Sequence, residues 1–190
     1  MNRVMCLLSL AGLFVFSTSV RSEEVKSGPQ VGEDVGAFTV EKCAGNEDDG
    51  VATGEKLCYR CKLGNRPVVA VFARNPNENL SALMTELDEV VAKNESKKMA
   101  SFVNLLGKDA ETLKEKAGWL VKKSGAKHVA VVVPEEHANG PADYNLNSKV
   151  DVTVLVYNRG KVVANYALAA SDLKKDVIAK IKNSAEEMLN

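Results

Sequence analysis

Neither sign of charge is in excess in this chain, with 25 lysines and arginines facing 25 aspartates and glutamates. That balance excludes the basic footprint of a nucleic-acid binder, and a composition that is 45% hydrophobic excludes a disordered chain. Histidine is nearly absent. His128 and His137 stand far along the chain from Cys43, Cys58 and Cys61, and no second close-spaced ligand pair accompanies the cysteines. A tetrahedral zinc site needs four such ligands, so neither a metal nor a cofactor is expected. There is no internal repeat and no low-complexity segment. The one long apolar run lies at the very start, from Val4 to Val20, and it is short for a spanning helix, which takes ~20 residues.

With Arg3 before it and small side chains at its end, that run reads as an export signal. Val20 and Ser22 suit the positions three and one before a cleavage point, so residues 1–22 are expected to be removed between Ser22 and Glu23. The remaining chain is then exported to a periplasm or the extracellular space, with no membrane segment. Thiols there tend to be oxidised, and Cys43, Cys58 and Cys61 form an odd count.

Residues 23–36 are polar, contain Gly and Pro and show no periodicity; they are expected to be a linker to a single domain at 37–190. Ala37–Lys42 is expected as a short edge strand. The acidic loop after it, with Asn46, Glu47, Asp48 and Asp49, matches no calcium-loop spacing and reads as a solvated turn. Pro67–Ala73, PVVAVFA, is a continuous apolar run rich in β-branched residues, the pattern of a strand covered on both faces. Leu80, Leu83, Met84, Leu87, Val90 and Val91 recur at helical spacing up to Asn94. Met99–Leu106 predicts a strand, Asp109 to Gly125 a capped helix, and His128–Val133 a further strand. An irregular polar connection follows, in which Glu135, Glu136 and His137 read as solvated loop. Asp151–Tyr157 and Lys161–Leu168 alternate around Asn158-Arg159-Gly160 as a hairpin, and Ser171 is expected to cap a final helix. Trp119, the only tryptophan, is expected to pack against the sheet edge.

This order is an α/β fold: a central mixed β-sheet flanked by helices. The succession RPVVAVFAR, helix, strand, helix ending KKSGAKHVAVVVPEE, then DVTVLVYNRGKVV and a terminal helix resembles the thioredoxin-like fold. It is most similar to the peroxiredoxin and thiol-specific-antioxidant arrangement, over roughly residues 31–188. The resemblance implies an attacking cysteine at the first turn of the helix after the central strand, where Arg74 to Asn79 stand instead. Peroxide chemistry of the usual kind is therefore not expected. Thioredoxins also place a proline before the hairpin strand, and the matching residue here is Val152.

The cysteines that are present, Cys58 and Cys61 in LCYRCK, lie before the central strand. Arg60, Lys62 and Arg66 supply positive charge that favours a thiolate. The pair is either a redox couple exchanging with protein thiols and disulfides, with Cys43 as a candidate resolving thiol, or a structural staple in a binding domain of the same fold. CYRCK is also similar to the lysine variant of the haem-attachment motif, but that variant belongs to larger multihaem proteins.

Overall fold

The VVAVFA run forms β3 (Val68–Ala73), and every one of its six residues is buried. β-branched side chains fit a pleated surface covered on both sides, and each large apolar residue buried there contributes about 1.5–3 kcal/mol. This strand organises the sheet. The structure is a computed structural model describing residues 25–190; the expected export signal at 1–22 lies outside the described residues. β3 pairs in parallel with β4 (Ala100–Leu105) and antiparallel with β6 (Val152–Asn158). With β1 (Val40–Ala44), β2 (Lys56–Leu57), β5 (Val129–Pro134) and β7 (Lys161–Leu168), the sheet has seven strands in the order β2-β1-β5-β4-β3-β6-β7.

The long helices form where the sequence provides both caps and stripes. α2 (Glu78–Lys93) starts at Asn77, whose side chain accepts from the Leu80 N–H, and ends where the Asn94 side chain donates to the Val90 carbonyl. α3 (Ala110–Ser124) is capped by Asp109 and closed by Gly125 at φ 68°. Because β3–α2–β4 and β4–α3–β5 step in the same direction, right-handed crossovers put both helices on one face, where α4 (Lys175–Glu187) joins them.

Three local expectations fail. The edge strand is β2; of the residues expected at the edge, Ala37, Phe38 and Thr39 lie in no strand and Val40–Lys42 open β1, held between β2 and β5. Ser171 does not cap α4: it sits in a separate 3₁₀ turn, Ala170–Asp172, whose first N–H is taken by the Asp151 carboxylate (2.9 Å), and α4 begins after Lys174 without a side-chain cap. Trp119 is 42% exposed, because the spacing that buries Leu113, Ala117 and Leu120 turns position 119 outward.

The other face of the sheet carries no long helix. It is covered by a five-residue helix, α1 (Tyr59–Leu63), by the 135–151 connection and by residues 25–38. Tyr59 stacks on Phe102 with ring centroids 5.3 Å apart, while Phe38, Phe72 and Tyr144 make a second aromatic cluster at 5.1–5.8 Å. The stretch before β1 has no regular element but lies along the sheet: the Ser27 hydroxyl meets that of Thr153 (2.7 Å), and Asp34 bridges to Lys161 on β7. Among the described residues no helix is long and apolar enough to cross a membrane.

Candidate functional site

The Cys-x-x-Cys segment opens a short helix, α1. Cys58 is its N-cap, with an extended backbone and a sulfur that accepts from the Cys61 N–H at 3.0 Å. Tyr59 and Leu63, four residues apart, share the buried side. Gly64 at φ 57° ends the helix. The cap residue, the apolar i,i+4 pair and the glycine were all readable, but a single turn is too short to show periodicity.

Residues three apart on a helix lie on one side, and Cys58 and Cys61 are joined as a disulfide with a Cα–Cα distance of 5.2 Å. Cys58 is half-buried and Cys61 exposed. α1 hands the chain to the N-terminal end of β3. Arg74 follows the other end, about 17 Å away along a six-residue strand at ~3.3 Å per residue.

The surrounding cations do less for the sulfurs than the sequence suggested. The Arg60 guanidinium donates to the carbonyls of Val35 (3.2 Å) and Gly64 (3.1 Å) and lies over Gly160 in the β6–β7 turn. It fastens α1 to the hairpin. Lys62 extends toward Gly50 in the acidic loop. That loop is no simple solvated turn: Asp49 accepts from the buried Lys42 ammonium (2.7 Å), from the Tyr59 hydroxyl and from the Val51 N–H (2.9 Å). Burial, reinforced by that hydrogen bond to Asp49, holds the Tyr59 phenol far above its ordinary range. It stays a donor, and the loop is tied to the residue after Cys58.

Cys43 is elsewhere. It is the extra residue where the β1–β5 register slips between Lys42 and Ala44, and it packs with the helix-side core, so the sheet lies between it and α1. Its thiol is free. Burial first, then the nearby Glu41 carboxylate, push that thiol from 9.0 up to about 11, with Lys114 opposing. Two outcomes follow. Alkylation of Cys43 by iodoacetamide should be slow at pH 8 and rise steeply only toward pH 11. Stability contributed by keeping the thiol neutral should be complete below about pH 9 and lost between about pH 9 and 11, because the unfolded chain ionises first. Fast alkylation at pH 8 would contradict this assignment.

Where the resemblance implies a reactive cysteine, this chain has a clamp. Arg74 donates to the Val150 (3.3 Å) and Ala138 (3.1 Å) carbonyls and pins the 135–151 connection over the end of β3. Val152 is 2% exposed and paired on both sides. His137 is bonded to the Gly107 carbonyl through Nδ1 (2.7 Å), Glu136 accepts from Ala142 N–H and Glu135 pairs with Lys56, so these three brace the connection. His128 is half-buried just before β5, where its N–H donates to Asp88. Among the described residues no group of three or more His, Cys, Asp or Glu is arranged to hold a metal ion.

No protein-family model matches the chain, and no curated protein matches it by sequence. Solved structures do match. A candidate protein disulfide isomerase from Bacteroides thetaiotaomicron superposes with TM-score 0.63 at 17% identity, covering 87% of this chain and 94% of that one. A secreted Mycobacterium tuberculosis disulfide oxidoreductase homologous to E. coli DsbE gives 0.54 at 15%, covering 77% and 95%. A reduced 2-Cys peroxiredoxin from Plasmodium vivax gives 0.57 at 12%, covering 84% and 83%. Strand order, helix placement and these likenesses establish that the chain has the thioredoxin-like fold, with its paired cysteines ahead of the central strand.

Proposed function

We propose that this is an exported thiol–disulfide exchange protein whose Cys58–Cys61 pair cycles between disulfide and dithiol with partner protein thiols. In this reading residues 1–22 are the export signal, 23–36 the linker and 37–190 the working domain, in a periplasm or outside the cell. The observation that carries it is the closed Cys58–Cys61 bond, with Cys61 an exposed residue and the Cys58 sulfur aligned with a backbone donor.

The exchange runs as follows. A partner thiolate attacks Sγ of exposed Cys61, forming a mixed disulfide and breaking the Cys58–Cys61 bond. The electron pair leaves on Cys58, whose thiolate is stabilised by the Cys61 N–H at 3.0 Å. A second partner thiolate then attacks the partner sulfur of the mixed disulfide and releases Cys61. The pair ends reduced and the partner oxidised; run backward, Cys61 attacks a partner disulfide and Cys58 resolves it. Cys43 takes no part.

A second reading, a staple in a binding domain, is favoured by one specific observation: Arg60 is spent on backbone carbonyls and Arg74 on the place where the fold's thiols stand. The reduction potential separates the two. A value in the ~−120 to −270 mV range marks exchange, and one below ~−300 mV marks a staple. Insulin reduction by the mature protein, beginning at Glu23 by N-terminal sequencing of the exported chain, should be lost in Cys61→Ser and Cys58→Ser. Activity in both variants equal to wild type would reject exchange through this pair.

A further inference from the structure

Residues 25–36, which lead into the domain, are fastened along the β7 edge of the sheet. The Asn165 side-chain amide donates to the carbonyls of Ser27 (2.9 Å) and Pro29 (2.7 Å), and the Gly32 N–H donates to the Val162 carbonyl (2.9 Å). The segment is a strap. Its last tie leads elsewhere: Val35, 5% exposed, donates its N–H to the Gly160 carbonyl in the β6–β7 turn (2.8 Å), and its own carbonyl accepts from Arg60 Nε (3.2 Å). The same guanidinium lies over Gly160, where an added Cβ would strike it, and donates through Nη1 to Gly64 at the end of α1 (3.1 Å). Strap, hairpin turn and α1 meet at this one side chain, and among the described residues it makes the only hydrogen bond between the strap and α1.

Arg60 stands between the two cysteines. α1 is five residues long, far below the ~12–15 at which an isolated helix holds. It is held by the Cys58–Cys61 bond across its first turn, by the buried Tyr59 and Leu63, and by the bonds of Arg60. Closing so short a loop restricts the open chain by a factor of roughly ten to twenty. Reduction removes that restriction while the other two ties remain.

We propose that Arg60 latches the strap to the redox helix: opening the Cys58–Cys61 bond loosens α1 and, through Arg60, loosens residues 25–36 from the sheet edge. This deepens the exchange reading above, which supplies the electrons: two partner thiols become a disulfide as the pair becomes a dithiol. Coupling of this kind is reciprocal. A disulfide that favours the docked strap is itself favoured by the docked strap, so docking lowers the reduction potential of the pair by the same factor. Arg60 is a positioning residue here, acting through the backbone of α1 and not on the sulfurs.

The test is hydrogen exchange at the Gly32 and Val35 amides of the mature protein, followed by NMR with the pair oxidised and after reduction by dithiothreitol. Both amides are hydrogen-bonded in the oxidised form and should exchange about tenfold faster in the dithiol. Arg60→Lys keeps the positive charge of α1 but loses the planar fork that reaches Val35 and Gly64 together. In that variant both amides should exchange at the faster rate in either redox state, and the potential measured against glutathione should rise by about 30 mV, the equivalent of tenfold for a two-electron couple. Equal protection of both amides in oxidised and reduced wild type overturns the latch and leaves exchange standing, and this comparison needs no variant. A tenfold redox effect that persists in Arg60→Lys also overturns it, because the strap would then sense the bond by another route. Amides that respond to reduction in a wild type whose potential lies in the staple range uphold the latch and remove the exchange reading.

Discussion

Asp49→Ala should destabilise the folded chain by about 3–5 kcal/mol in urea unfolding, the cost typical of removing one partner of a buried ion pair. Lys42 is 1% exposed. Among the described residues its ammonium has three hydrogen-bond acceptors to replace water: Asp49 at 2.7 Å and the carbonyls of Asn46 (2.6 Å) and Val51 (2.8 Å). Without Asp49 a positive charge remains inside the protein with two neutral acceptors, while Tyr59 and the Val51 N–H each lose theirs. The control is Lys42→Met/Asp49→Ala, which removes both charges and should recover a large part of the loss, since apolar replacement of a whole buried pair is often near neutral. Tyr59→Phe should cost only about 1 kcal/mol, one hydrogen bond. A loss below about 1 kcal/mol for Asp49→Ala would show that Lys42 reaches water when unpaired. The consequence for function is positional. The acid central to the loop is committed to a structural lysine and to the tyrosine after Cys58, so the loop sets the seat of α1.

Gly45→Ala should be similarly severe, at about 3 kcal/mol or more. Gly45 has φ 74°, and a Cβ there would run into the backbone carbonyl of Val129, with the Val121 side chain 3.2 Å away. The left-handed backbone alone costs a residue with a side chain roughly 1–2 kcal/mol, and the carbonyl belongs to β5 and cannot move without disturbing the sheet. Gly54→Ala isolates the first contribution, because Gly54 has φ 88° with nothing within 4 Å of the added atom. It should cost only the roughly 1–2 kcal/mol of conformation. Equal losses in the two variants would mean that β1 shifts to relieve the contact.

The elements legible in the sequence are those whose cause is local. Asn77 and Asp109 cap helices from three residues away, and the stripes of α2 and α3 repeat often enough to set their phase. The β6–β7 hairpin was equally plain, although Arg159 as well as Gly160 takes positive φ, at 53° and 79°. The failures share the opposite character. Ser171 looked like a cap, but it lies in a separate 3₁₀ turn, anchored by the Ala170 N–H donating to the Asp151 carboxylate nineteen residues earlier, and α4 starts only after Lys174. Trp119 was placed by its hydrophobicity when its phase on α3 already turned it out. Arg60 was counted as a charge for the sulfurs, yet its carbonyl partner at Val35 lies 25 residues away in sequence.

By itself the sequence determined that two cysteines stand three apart ahead of a fully buried strand, and that no thiol stands after it. Those are statements about order along the chain, which folding cannot change. Only the tertiary structure decided that the pair opens a helix, that Cys61 faces solvent while Cys58 is half-buried, and that Cys43 lies across the sheet from both. Exposure and electrostatic surroundings are made by residues from distant segments, here the 45–50 loop, the β6–β7 turn and the start of β4, and those come together only when the sheet has closed around β3.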